Sequence, residues 1–206
     1  MAILLVTAFG AFPGAPSNPT EEIVAELERC WRGRFSRMGV QLVTAVLPVV
    51  HAIGPLIDAL VAREKPAAIV HLGLAARRRS VTVEARARNR ASTLKSDARG
   101  AFAAGRAHGP AVASLPSGWD AALLAARLRA ARIDADVSND AGDYVCNAAL
   151  WRSLEAGAAP AVLIHAPKKS RVPPAEIARA LAGLLPAMTL RIARRHRPTR
   201  ETTEIG

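Results

Sequence analysis

Short apolar runs alternate with helix-patterned stretches along this chain, and that alternation constrains the fold more than any other feature. Residues 2–7 (AILLVT), 40–47 (VQLVTAVL), 67–72 (AAIVHL), 135–138 (ADVS) and 161–165 (AVLIH) are short apolar or β-branched segments that read as strands. Helical spacing appears over residues 20–29, 55–63, 119–132 and 173–185, and in the run that contains Cys146. Strands that alternate with helices pair in parallel and bury both faces under helices. The expected fold is therefore an α/β/α sandwich around a mostly parallel, mixed and twisted sheet. Half of the 206 residues are hydrophobic but only 4% are aromatic, so Ala, Val, Leu and Ile must build the core. A chain of this length is expected to form one domain over residues 1–206.

Local chemistry sets the punctuation. Residues 8–19 (AFGAFPGAPSNP) are too rich in Gly and Pro for anything but a loop. Thr20 follows as the expected N-cap of the first helix, with Glu22 in its first turn. Residues 80–87 alternate, with Val81, Val83, Ala85 and Ala87 on one face and Thr82, Glu84 and Arg86 on the other, which predicts a half-exposed strand. Residues 89–118 show little periodicity and read as a long surface loop. Two prolines start the last helix, and the basic tail from Arg191 is expected to fray.

The formal charge of +11 comes mainly from arginine, with clusters over residues 77–90 and 191–200. No nucleic-acid motif accompanies it and aromatics for base stacking are scarce, so the charge reads as solvated faces rather than a nucleic-acid site. No apolar run approaches the ~20 residues that span a bilayer. The opening MAILLVTAFG lacks the pattern of a signal peptide. Cys30 and Cys146 are far apart and form neither a disulfide framework nor a metal-binding spacing. A reducing cytoplasm is the expected compartment.

Reactive groups are few. There is no phosphate-binding glycine loop, no HExxH, no GxSxG and no CxxC. Cys146 falls in SNDAGDYVCNAALWRSL, in the first turn of a helix, where free N–H groups and the helix dipole ease loss of a thiol proton. The bland alternative is a buried small hydrophobe. His165 closes a strand, and strand ends are where open α/β sheets gather active sites. His71 has the same setting, so position alone does not single out His165. Glu84, on the polar face of its strand, could equally be a solvated carboxylate.

Taken together, these residues resemble the type I pyroglutamyl peptidases, cysteine peptidases of family C15. Four blocks carry the resemblance in order: VTAFGAFPGAPSNPT, HLGLAARRRSVTVEARARN, SNDAGDYVCN and IHAP. It implies the phosphorylase/hydrolase-like α/β fold, removal of N-terminal pyroglutamate through a thioester, and no cofactor. It implies Cys146 as nucleophile, His165 as general acid/base and Glu84 as the group that orients the imidazole, and it matches Phe9 and Phe12 to the phenylalanines that embrace the lactam ring. Aromatic faces suit a flat neutral lactam and offer nothing to a charged amine. Otherwise both rings plug the core. Asn18 and Pro19 read as loop-shaping residues. The family implies a homo-oligomer, dimer or tetramer.

The chain also departs from the pattern. Ala8 and Ala11 stand before the two phenylalanines, where the family has Gly and Pro. Ala85 follows Glu84 where an Arg is common. Leu94 occupies the place of an arginine thought to assist the site, and Arg99 could replace it only across a three-residue insertion. A related cysteine amidohydrolase with changed acyl specificity, or a non-catalytic binding protein on the same scaffold, stays open on these residues.

Overall fold

The computed structural model describes residues 1–12, 15–105, 107–108, 112–168 and 172–196. The chain opens with β1 (Ala2–Phe9), whose uncharged residues are buried from Leu4 onward. Asn18, not Thr20, caps α1 (Pro19–Glu26): its Oδ1 accepts the Thr20 N–H at 3.1 Å. A π-helical segment (Leu27–Trp31) leads into α2 (Arg32–Arg37). There follow β2 (Val40–Leu47), α3 (Gly54–Glu64), β3 (Ala68–Ala75), β4 (Val81–Glu84), β5 (Arg86–Arg88) and β6 (Ser114–Pro116). Asp120 caps α4 (Ala121–Ala130) by accepting the Leu123 N–H. The chain then forms β7 (Ala135–Ser138), α5 (Val145–Ala156), β8 (Ala161–Pro167) and α6 (Pro174–Arg195).

The main sheet has six strands in the order β2-β1-β3-β8-β4-β7. All neighbours pair in parallel except β8 and β4, which are antiparallel. Alternate side chains fill two layers. Leu4, Val6, Val70, Leu72, Val83 and Ile164 pack against α1, α4 and α6, with Leu27, Leu128 and Leu181 at the centre. On the opposite face, Leu5, Ile69 and Leu163 meet Leu150 and Trp151 of α5 and the inner side of α3. The expected sandwich with its mixed, mostly parallel sheet is what forms. Among the described residues no helix is long and apolar enough to cross a membrane.

Besides the Thr20 cap, three expectations about element bounds fail, each for a physical reason. The half-exposed strand over 80–87 is two strands. β4 lies inside the sheet between β8 and β7, so both its faces are covered and all four residues are buried. After Ala85 the chain leaves the sheet, and β5 pairs with β6 in a separate two-stranded ribbon. That ribbon also interrupts the expected loop of 89–118.

The third failure is the end of α6, expected at Leu185; the helix instead contains Pro186, which cannot donate to the carbonyl four residues back. The helix runs on to Arg195, and Arg34 Nε of α2 donates to that Ala182 carbonyl at 3.1 Å. A side chain distant in sequence thus satisfies the acceptor that the proline strands. The expected frayed tail is helical to Arg195, and residues 197–206 lie outside the described residues.

Candidate active site

Glu84 ends β4 and has no exposed surface. Its Oε1 sits 2.7 Å from His165 Nδ1 of β8. A carboxylate only accepts, so Nδ1 carries the proton and Nε2 is the free nitrogen. The solvated-carboxylate alternative is thereby excluded: burial of a carboxylate demands partners, and Glu84 has them. Arg78 Nη1 donates to the same oxygen at 2.6 Å.

His165 pairs in register with Gly73 of β3. A side chain begun at Gly73 would meet His165 Cδ2 at 2.8 Å, Cys146 Sγ at 2.9 Å and His165 Nε2 at 3.0 Å. The sulfur and the free ring nitrogen therefore crowd the same spot above β3, and only glycine leaves them room. Cys146 reaches this meeting from a strand that runs against β8. β7 runs parallel to β4 and so opposite to β8, which puts the carboxyl ends of β7 and β8 at opposite ends of the sheet. The segment from Asn139 to Tyr144 brings α5 back across the sheet to Gly73. Gly142, at φ +83°, supplies the left-handed turn, and its N–H donates to Asp140 Oδ1.

Cys146 is the second residue of α5, as its pattern predicts. Tyr144 holds the N-cap position without a side-chain cap bond. The expected easy ionisation is not found in the resting protein. Burial pushes the Cys146 thiol up to about 12. The N–H groups of Leu74 and of Cys146 itself favour the thiolate, and the nearby Glu84 charge opposes it. Desolvation outweighs the helix start.

Phe9, Phe12, Tyr144 and Cys146 join one apolar cluster with Leu47, Val49, Ile53 and Val145. Phe9 is buried, whereas Phe12 is partly exposed and its ring lies 5.8 Å from that of Tyr144. Tyr144 was not singled out by the sequence reading. Its spacing two residues before Cys146, in a chain so poor in aromatics, was the available signal. Its hydroxyl donates to the Ser96 carbonyl, and Asp97 accepts the N–H groups of His51, Arg99 and Ala101. Chiefly through the His51 N–H, these bonds hold the Asp97 carboxyl below its usual range. The segment around Asp97 is thus strapped against Tyr144 and His51. Arg99 lines a cavity of about 470 Å³ there with Tyr144, Asp143 and Phe102. Leu94 is 88% exposed. Asn18 Nδ2 reaches the Gly10 carbonyl at 3.4 Å and ties the Phe9–Phe12 loop to the start of α1.

Neither histidine ends its strand: His165 lies inside β8, and His71 lies inside β3, fully buried between Thr7 Oγ1 at 2.7 Å and Ser153 Oγ at 2.9 Å. It pins β1, β3 and α5 together. Among the described residues no group of three His, Cys, Asp or Glu side chains could hold a metal ion.

Known proteins resemble this chain over most of its length. A sequence model of the pyroglutamyl peptidase family matches residues 2–193. The pyrrolidone-carboxylate peptidase of Deinococcus radiodurans is 33% identical over 193 residues, covering 84% of this chain and 81% of the relative. That of Oceanobacillus iheyensis is 35% identical over 159 residues, covering 75% of each. The crystal structure of the pyrrolidone carboxyl peptidase from Thermus thermophilus superposes with a TM-score of 0.76 at 31% identity, over 89% of this chain and 98% of that one. Taken with the converging Cys146, His165 and Glu84, these matches show that the chain belongs to the pyroglutamyl peptidase family.

Proposed function

We propose that this protein is a cysteine peptidase that removes pyroglutamate from peptide amino termini, with Cys146 as nucleophile, His165 as acid/base and Glu84 as the group that orients the ring. The convergence of sulfur and imidazole over Gly73 is the observation that carries this reading. As Sγ attacks the pyroglutamyl carbonyl carbon, its proton passes to His165 Nε2. Glu84 holds the imidazolium that forms. Backbone N–H groups at the start of α5 stabilise the oxyanion. His165 then protonates the departing amine, leaving a thioester on Cys146. Water, deprotonated by His165, cleaves that thioester and releases pyroglutamate. Phe12 and Tyr144 offer aromatic surface to the lactam, and Phe9 backs the pocket from the core.

Hydrolysis of a fluorogenic pyroglutamyl amide tests the reading. Release of the fluorophore by the natural protein and none by Cys146→Ser is expected. No release by the natural protein refutes it.

A second reading, a cysteine amidohydrolase with another acyl preference, is favoured by the outward-facing Leu94 and by Arg99 in the cavity beside Tyr144. A panel of acyl amides separates the two. We further expect a reducing cytoplasm, in which the free Cys30 and Cys146 stay unpaired, and assembly as a dimer or tetramer.

A further inference from the structure

Arg78 lies on the segment between β3 and β4 and is partly buried. Its guanidinium spans two parts of the site. Nη1 donates to Glu84 Oε1 at 2.6 Å, while Nη2 donates to Ser138 Oγ at 3.0 Å and to the Asp140 carbonyl at 2.7 Å. The first contact fixes the carboxylate that holds His165. The other two grip the turn after β7 that returns the chain to Cys146. Glu84 Oε2 is buried with no protein partner among the described residues, so the carboxylate is oriented through Oε1 alone, by His165 and Arg78. A planar fork can make these contacts at once, and an ammonium cannot.

We propose that Arg78 is a positioning residue for the hydrolytic reaction, a clamp that sets the Glu84 carboxylate and the Cys146-bearing turn relative to each other. This rests on the functional reading above. The clamp acts through Glu84, so its loss should lower turnover rather than weaken binding.

The test measures kcat and KM for a pyroglutamyl amide in a Cys30→Ser background, which removes the exposed second thiol. Arg78→Met is expected to lower kcat by about tenfold or more and to change KM by less than about twofold. Arg78→Lys should fall between it and the parent. Arg90→Met, which breaks the exposed pair with Asp140 on the same turn, should leave kcat within about twofold. In a Glu84→Gln background, Arg78→Met should cost little more, because its target is already altered. Unchanged kcat in Arg78→Met, or losses that multiply with Glu84→Gln, would overturn the clamp. If Arg78→Met does not fold, Arg78→Lys carries the same comparison. Should the parent cleave no pyroglutamyl amide, the functional reading fails, and alkylation of Cys146 by iodoacetamide still decides on Arg78. A rate about tenfold slower in the variant supports the clamp, and equal rates reject it.

Discussion

Gly73 and His165 face each other across β3 and β8, and the missing side chain of Gly73 is the space in which the imidazole and the Cys146 sulfur meet. A methyl group there would lie within 3.0 Å of both reactive atoms. Neither can withdraw freely, since His165 is anchored to Glu84 and Cys146 to the start of α5. Gly73→Ala is therefore expected to cut kcat by about a hundredfold while costing only about 1–3 kcal/mol of stability. Steady-state kinetics beside urea unfolding check this. Near-normal turnover would mean that sulfur and imidazole need not share that space.

The resting thiol gives a second expectation. Its pKa is raised, so the neutral thiol dominates at neutral pH and the thiolate fraction grows as pH climbs toward about 12. In a Cys30→Ser background, alkylation of the Cys146 sulfur should keep rising from pH 7 to pH 10 without a plateau. A plateau reached below pH 7 would show a preformed ion pair with His165 instead.

His71 gives the protein a pH-dependent stability. Burial lowers its pKa from 6.5 to about 4, so the folded state holds it neutral between Thr7 and Ser153. The unfolded chain takes up a proton more readily, so folding loses stability as pH falls. The contribution is whole above the unfolded value of 6.5 and declines until about pH 4, by about 3 kcal/mol in all. Urea midpoints over that range, compared with His71→Asn, measure it. An equally steep decline in the variant would assign the effect to other groups.

Arg34 and Pro186 should be energetically coupled. The proline leaves the Ala182 carbonyl without its helical donor, and Arg34 Nε fills the vacancy. Arg34→Met is expected to cost about 1 kcal/mol. In a Pro186→Ala background, where residue 186 regains its N–H, the same change should cost close to nothing. A double-mutant cycle by urea unfolding reads the coupling, and additive effects would reject it.

Much of this was legible in the chain because hydrophobic period and turn chemistry are local. The strand at 40–47 and Cys146 in its helical turn both follow from neighbours in sequence. What escaped depends on contacts far apart. Glu84 alternates like a surface residue, and only the insertion of β4 between β8 and β7 buries it. The helix pattern stops at Leu185, and the helix continues through Pro186 because Arg34, distant in sequence, supplies the missing donor. The helix start at Cys146 argues for a reactive thiolate, but the desolvation that reverses it comes from residues packed around the sulfur. Arg78 is one of three consecutive arginines, and nothing local marks it as the one that reaches Glu84.

The central claim is that a pyroglutamyl group is carried on the Cys146 sulfur. Acid quenching during turnover of a pyroglutamyl amide, followed by intact and peptide mass spectrometry, tests it most directly. One added pyroglutamyl group on the peptide containing Cys146 is expected, lost in Cys146→Ser. Turnover with that peptide unmodified, or with the group on Cys30, would contradict the account.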